Sequence, residues 1–378
     1  MSKVLCVFPN DPLSAYYKKG EIKLRYFNPK NIFDEIHVIS LFDSDEKEEN
    51  VKNVAGEAKL NIHPIGKTTL LNVRTKKGEI INLIKEIKPD VIRSYNPLLQ
   101  GWIAAHAGKE LGIPVVISLA GDYDRDLRYF ARKNHDIKSY LKLLFTKRTL
   151  ESFAIKNADE VIIIYDFIRD YAKKMGAKNI NLIYNRIDLS QFSSDTEPAF
   201  MKSKPVIICV GRLMKEKNQE CLIKAIKDLD VILLLVGDGP QYDELSKLTK
   251  DLRIQDKVKF EKAIPHKDIP RYYAAADVFA LPIKYGGFAI PVLEAAASGL
   301  PVILPKQEFD PNPELIKDFA MLVNNDPVSF RDAISKVLSD KNLYDKMVHD
   351  GLEIVKKING ELMEEKEKEL YCKLMKKN

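Results

Sequence analysis

Hydrophobic positions fall into two series of short, unbroken apolar runs, each run followed by a polar turn and an amphipathic stretch. The first series is KVLCVF (3–8), EIHVISLF (35–42), PDVIRSYN (89–96), PVVISLAGD (114–122), ADEVIIIYD (158–166) and INLIYN (180–185). Helical periodicity is expected over 75–87, stopped by Pro89, and over 97–111, stopped by Gly112-Ile113-Pro114. A long basic helical region is expected over 127–156. Apolar runs without alternation, separated by helices, predict a parallel sheet covered on both faces.

Residues 188–205 interrupt this rhythm with Ser, Asp, Pro and Lys, and the pattern then restarts. PVIICVG (205–211), VILLLVGDGP (231–240), KVKFEK (257–262), DVFALPI (277–283) and PVILP (301–305) alternate with helices expected over 218–229, 242–252, 269–275 and 289–298. The fold class is α/β, with two doubly wound Rossmann-like domains whose ligand crevice lies at the carboxyl ends of the strands. The expected division is a first domain over 1–189, a linker over 190–204, a second domain over 205–352 and a helical, highly charged tail over 353–378. That tail either packs back on the first domain or is solvated.

Composition narrows the function only a little. The 378 residues are 45% hydrophobic and 30% charged, and 60 basic against 54 acidic residues leave a net charge of +6. That excess is too slight for a nucleic-acid partner, but it suits an anionic ligand or an acidic membrane surface. No run is long enough to span a membrane, no secretory signal opens the chain, and the four cysteines have no paired spacing. A cytoplasmic protein is expected, with peripheral contact at the inner face of a membrane left open.

Four segments of the second half follow strands, where such sheets collect ligands. In VGRLMKEKN (210–218), Gly211 ends a strand, and Arg212 and Lys217 enter a helix together, either as a diphosphate clamp or as a solvated basic loop. VGDGP (236–240) either lets backbone approach a ligand or is simply a turn. VKFEKAIPHKD (258–268) ends a strand where backbone groups are free to read a base. LPIKYGGFAIPVLEAAASGLPVILP (281–305) places two glycines before a short helix. Glu294 is the only acid on that helix and must find donors within the protein or on a ligand's hydroxyls.

Their order, GR-x4-K, VGDGP, VxF, AADVFALP and GFxxPxLEAxAxGxPV, resembles the retaining nucleotide-sugar glycosyltransferases of family 4, which have the GT-B fold. The resemblance covers nearly all of 206–340. It continues more loosely through YNRIDLSQF and GIPVVISLAGDYD in the first half. It implies two domains facing a central cleft and transfer of a sugar from a nucleoside diphosphate to a glycan, lipid-linked or small-molecule acceptor. The nucleotide sugar would be the co-substrate, with no metal and no other cofactor.

Roles follow by resemblance. Arg212 and Lys217, beside Gly211, would neutralise the pyrophosphate; Gly287, Phe288 and Ala289 would hold the distal phosphate and the sugar; Glu294 would accept the ribose hydroxyls. The loop reaching Gly20 would approach sugar and acceptor. Fixed cations aimed at the leaving diphosphate would supply the catalysis.

The chain departs from the family pattern in three places. Gly286 stands where a first glutamate is usual, Ala120 where a histidine is usual before Gly121, and Lys262 where a glycine is usual after VxF. His106 fits a packing role, and His135 and His266 fit the surface. The acidic loop GDYDRDLR (121–128) offers Asp122 and Asp124 to the sugar and Arg125 or Arg128 to an acceptor phosphate, or else it caps the next helix. The basic stretch RKNHDIKSYLKLLFTKRTLESFAIKN either divides into a core face and a solvated face or forms a membrane patch. Two functions stand: an active glycosyltransferase, and a silent relative that binds a nucleotide sugar or a partner. A phosphorylase or epimerase of the same fold is a third reading.

Overall fold

The computed structural model describes residues 2–18, 20, 22–186, 190–193, 195–262, 264–284, 290–306 and 319–376. Contacts divide the chain into two units, residues 1–185 with 361–378, and residues 186–360.

The first unit carries β1 (Val4–Phe8), β2 (Glu35–Ser40), β3 (Lys59–Pro64), β4 (Val91–Ser94), β5 (Val115–Leu119), β6 (Glu160–Ile163) and β7 (Ile180–Leu182). They form one parallel sheet in the order β3-β2-β1-β4-β5-β6-β7. The second unit carries β8 (Val206–Val210), β9 (Ile232–Val236), β10 (Val258–Glu261), β11 (Val278–Ala280), β12 (Val302–Pro305) and β13 (Ala320–Val323). These are also parallel, in the order β10-β9-β8-β11-β12-β13. In each sheet the order reverses beside the first strand, which is the topological switch point of a doubly wound fold.

The apolar runs become the central strands because both faces are covered: every residue of β5 and β8 is buried. One device sets register in both sheets. Asp34, Asp90, Asp159 and Asp277 each precede a strand, and each carboxylate accepts the N–H of a residue opening the adjacent strand: Lys3, Val4, Val115 and Val206, at 2.7–2.8 Å. A charge-assisted bond there satisfies an amide that no ladder partner reaches.

The basic region 127–156 is not one helix. It begins with a wide (π) turn over Asp124–Tyr129, breaks near His135 (φ +55°), resumes over Ile137–Thr146 and widens again over Lys147–Glu151. The charged C-terminal stretch is two helices, Lys341–Lys357 and Gly360–Met375. The second lies in the first unit, where Met363, Leu370, Tyr371 and Leu374 join the core around Leu5, Ile36 and Val91. Its acids are equally committed: Glu364 pairs with Arg25 at 3.2 Å, and Glu367 lies 3.6 Å from the buried Arg93.

Candidate functional site

The second unit gathers its chemistry at the carboxyl ends of β8, β9 and β11. Gly211 leaves β8 at φ +149° and donates its N–H to Val236 O at 2.9 Å. Gly237 leaves β9 at φ +135°, and a Cβ on it would stand 2.4 Å from Gly211 O. A Cβ on Gly239 would stand 2.4 Å from Leu213 O. The glycines of VGDGP therefore serve backbone-to-backbone packing, with Leu213 donating its N–H to Asp238 O at 3.0 Å.

That packing fixes the loop holding the two cations. Gln219 donates to Arg212 O at 3.0 Å, and Lys284 N–H to Glu216 O at 2.8 Å. Asn218, in the left-handed region, donates to Asn325 Oδ1 at 3.1 Å, and Asn325 in turn donates to Pro282 O and Ile283 O at 3.2 Å. The loop after β8, the segment after β11 and the residues after β13 are thus tied into one platform.

Arg212 is exposed on this platform and Lys217 half-buried, with Lys217 Cε lying 3.9 Å from where a Cβ of Gly211 would be. Neither side chain makes an ion pair or hydrogen bond among the described residues. Burial holds the Lys217 ammonium below the ordinary lysine range; Cys209 and Glu216 only partly offset this. An anion is the partner this arrangement calls for.

Residues 286–289, and with them Gly287, Phe288 and Ala289, lie outside the described residues. Helix Ile290–Ala297 follows, and its face carrying Val292, Leu293 and three alanines is buried. Gly351 lies against Ala296, a Cβ there standing 3.4 Å from Ala296 Cβ, so helix Lys341–Lys357 braces this one closely. Glu294 is 4% exposed, and its Oε2 accepts a hydrogen bond from Tyr273 at 2.9 Å. Tyr273 is fully buried between Phe192 and Phe279; burial and the neighbouring carboxylate hold its hydroxyl well above the usual phenol range. It therefore remains a donor, and it orients the acid. Sequence reasoning missed Tyr273, for nothing in a local pattern links residues 21 positions apart. Lys262, in place of the usual glycine, lies 3.2 Å above the centre of the Tyr242 ring.

In the first unit, the loop after β5 is committed to its own architecture. A Cβ on Gly121 would stand 2.6 Å from Asp126 Oδ2, so a larger residue there would displace that carboxylate. Asp122 Oδ1 accepts the N–H groups of Asp124 and Arg125 at 2.9 and 3.1 Å, so this carboxylate caps the turn. Asp124 accepts from Lys147 and Arg128; burial alone would raise its carboxyl, but these bonds outweigh that and hold it below its ordinary value. Arg128 is 3% exposed and grips Glu151 through two nitrogens at 3.0 and 2.9 Å, with Tyr171 closing the group. It is a structural arginine, not a free phosphate ligand. Arg125 lies over the Phe167 ring at 4.3 Å.

Gly20 (φ +67°) ends the turn after helix Leu13–Lys18, with open space where a side chain would project. His106 stacks on Phe153 and meets the edge of Trp102, and burial lowers it to about 4, which is a packing role.

Two doubly wound units, one with a cationic platform after its first strand, form a two-unit Rossmann-like architecture with a candidate anion site. Two family models locate it further: Glycosyltransferase Family 4 matches residues 34–191 and Glycosyl transferases group 1 matches residues 190–353. The chain is a divergent member of the GT-B glycosyltransferases.

It is 31% identical over 173 residues to the GDP-mannose-dependent alpha-(1-6)-phosphatidylinositol monomannoside mannosyltransferase of Mycolicibacterium smegmatis, covering 41% of this chain and 44% of that protein. It is 25% identical over 234 residues to the GDP-mannose-dependent alpha-mannosyltransferase of Corynebacterium glutamicum, covering 60% and 53%. With the UDP-Gal:alpha-D-GlcNAc-diphosphoundecaprenol alpha-1,3-galactosyltransferase of Escherichia coli it shares 26% over 325 residues, 78% of each. The match thus spans about half the length of the first two relatives. The fold is shared with Anabaena HepE in complex with UDP (TM-score 0.73, 17% identity, 98% of this chain and 100% of that one). It is shared too with sucrose-phosphate synthase from Thermosynechococcus elongatus (TM-score 0.72, 18% identity, 100% of both chains).

Proposed function

We propose that this chain transfers a sugar from a nucleoside-diphosphate sugar to a glycan, lipid-linked or small-molecule acceptor, with retention at the anomeric carbon and without a metal. The reaction is placed in the cytoplasm, at the inner face of the membrane when the acceptor is a lipid. The observation that carries this reading is the half-buried Lys217, which makes no ion pair among the described residues, beside the exposed Arg212 on a platform after β8.

In this reading Arg212 and Lys217 bind the diphosphate. As the bond from the anomeric carbon to the phosphate oxygen breaks, its electron pair moves onto the diphosphate, and the two fixed cations stabilise that charge. They take the part a divalent ion plays elsewhere. Glu294, held by Tyr273, accepts from the ribose hydroxyls. The Gly287–Ala289 amides would complete the phosphate site. The UDP bound to HepE and the GDP-mannose and UDP-galactose donors of the named relatives support a nucleotide-sugar donor.

A silent relative is the second reading, and a specific observation favours it. Besides Ala120 and Gly286, the carboxylates of Asp122 and Asp124 are engaged within the first unit, by backbone N–H groups and by Lys147 and Arg128. Titration with UDP, GDP and ADP, followed by hydrolysis and transfer assays across their sugars, tests both. Binding with turnover supports the transferase, and Arg212→Ala should then weaken nucleotide binding. Binding without turnover, with activity appearing in Ala120→His/Gly286→Glu, supports the silent relative. Failure to bind any nucleoside diphosphate removes the transferase and leaves the silent relative only as a partner-binding protein.

A further inference from the structure

The first unit carries a helix whose exposed surface is mostly apolar. On helix Ile137–Thr146, Ile137 is 70%, Leu141 59% and Phe145 58% exposed. Residues four apart advance about 40° around a helix, so the three form one continuous stripe. Leu127, on the preceding wide turn, is also exposed. Elsewhere exposed apolar residues stand singly, as Leu24 and Met201 do, or as the pair Leu70 and Leu71, which is ordinary. A stripe is not.

Charge runs alongside it. Lys138 and Lys142 follow Ile137 and Leu141 by one position and so lie on the neighbouring strip of the same helix; Arg132 and Arg148 stand at its two ends. All four are exposed, and none has an ion-pair partner among the described residues. The other three cations of the stretch are used internally, Arg128 by Glu151, Lys147 by Asp124 and Lys133 over the Tyr129 ring at 5.6 Å. The single acid between Leu127 and Leu150 is Asp136, and it caps the helix by accepting Ser139 N–H at 3.0 Å. One strip is therefore apolar, the next is cationic, and acidic residues are excluded from both.

We propose that this helix docks the first unit on an anionic lipid surface. Ile137, Leu141 and Phe145 would sit at the headgroup–acyl boundary, with the lysine stems snorkelling to lipid phosphates. Among the described residues no helix is long and apolar enough to cross a membrane, so the contact is interfacial. Each cation contributes about a five-fold factor to partitioning on an anionic bilayer, and salt screens that contribution.

The test is co-sedimentation of the full chain with vesicles of phosphatidylcholine alone and of phosphatidylcholine containing about one-third phosphatidylglycerol. Binding to the anionic vesicles, weakening with salt, is expected. Leu141→Ser/Phe145→Ser should reduce it at least about ten-fold, as should Lys138→Glu/Lys142→Glu. All four positions are exposed, so the thermal midpoint should hold. Absence of binding, or binding indifferent to both double variants, overturns the proposal. So does concentration-dependent self-association that Leu141→Ser/Phe145→Ser abolishes, which would assign the stripe to a second copy of the chain. The assay contains neither donor nor acceptor, so its failure leaves the transferase reading untouched.

Discussion

Lys217→Met should push stability and binding in opposite directions. Burial makes the folded state bind a proton at Lys217 less readily than the unfolded chain does. Between the lowered pKa and the ordinary lysine value the unfolded state holds more protons, so stability contributed by this residue rises with pH across that window. Below it, at neutral pH, the charged amine works against folding. Methionine keeps the stem and removes the charge. Because Lys217 still meets some solvent, the gain should be on the order of 0.5 kcal/mol, or about 1–2 °C in the melting of the second unit. Nucleotide affinity should fall by about 1.5–3 kcal/mol, the worth of a charge-assisted bond, which is roughly 13- to 160-fold in Kd. Differential scanning fluorimetry without ligand and calorimetric titration with UDP and GDP measure the two effects. A destabilised variant that binds nucleotide within two-fold of wild type would make Lys217 structural and refute the clamp.

Three further outcomes are expected. Tyr273→Phe should cost about 1–3 kcal/mol in urea unfolding, because a buried carboxylate loses one of its hydrogen bonds. The same variant should also narrow the preference for a ribonucleoside diphosphate over its 2′-deoxy form in titration. Glu151→Ala should cost about 1.5–3 kcal/mol, because the buried Arg128 loses its bidentate partner and keeps Asp124 alone as a counter-charge, whereas Arg128→Met/Glu151→Leu should recover part of that loss. Truncation after Gly360 strips Met363, Leu370, Tyr371 and Leu374 from the first unit's core and leaves Arg93 without Glu367. Limited proteolysis should then degrade residues 1–185 while a fragment near 186–360 survives.

The alternation of strands and helices was legible because continuous apolar runs have few other ways to be buried. The edges were not. β3 (KLNIHP) and β13 (AMLV) are covered less completely, so polar residues such as Asn61 and His63 dilute the first and brevity hides the second. The break near His135 was hidden because helical periodicity continues on either side of one left-handed residue. Of the candidate site, Arg212, Lys217 and Glu294 could be picked out as charges at strand exits or on an apolar helix. Their supports could not. Tyr273, Asn325 and the backbone packing of Gly237 against Gly211 depend on contacts between distant elements. The acidic loop shows the converse: Asp124 and Arg128 look available in sequence until Lys147 and Glu151 are brought to them by the fold.

The last helix gives the protein an order of assembly. Arg25 and Glu364 meet across 339 positions of sequence. During synthesis the first unit therefore emerges with part of its core still to be made. The roughly 175 residues of the second unit must follow before the closing helix exists, an interval of about 9–35 s at ordinary elongation rates. Throughout it, the surfaces of Leu5, Ile36 and Val91 that receive Met363 and Leu370 are incompletely covered. The second unit has no such debt and can close as soon as it clears the ribosome. The half of the chain that is translated first is thus the half that finishes folding last.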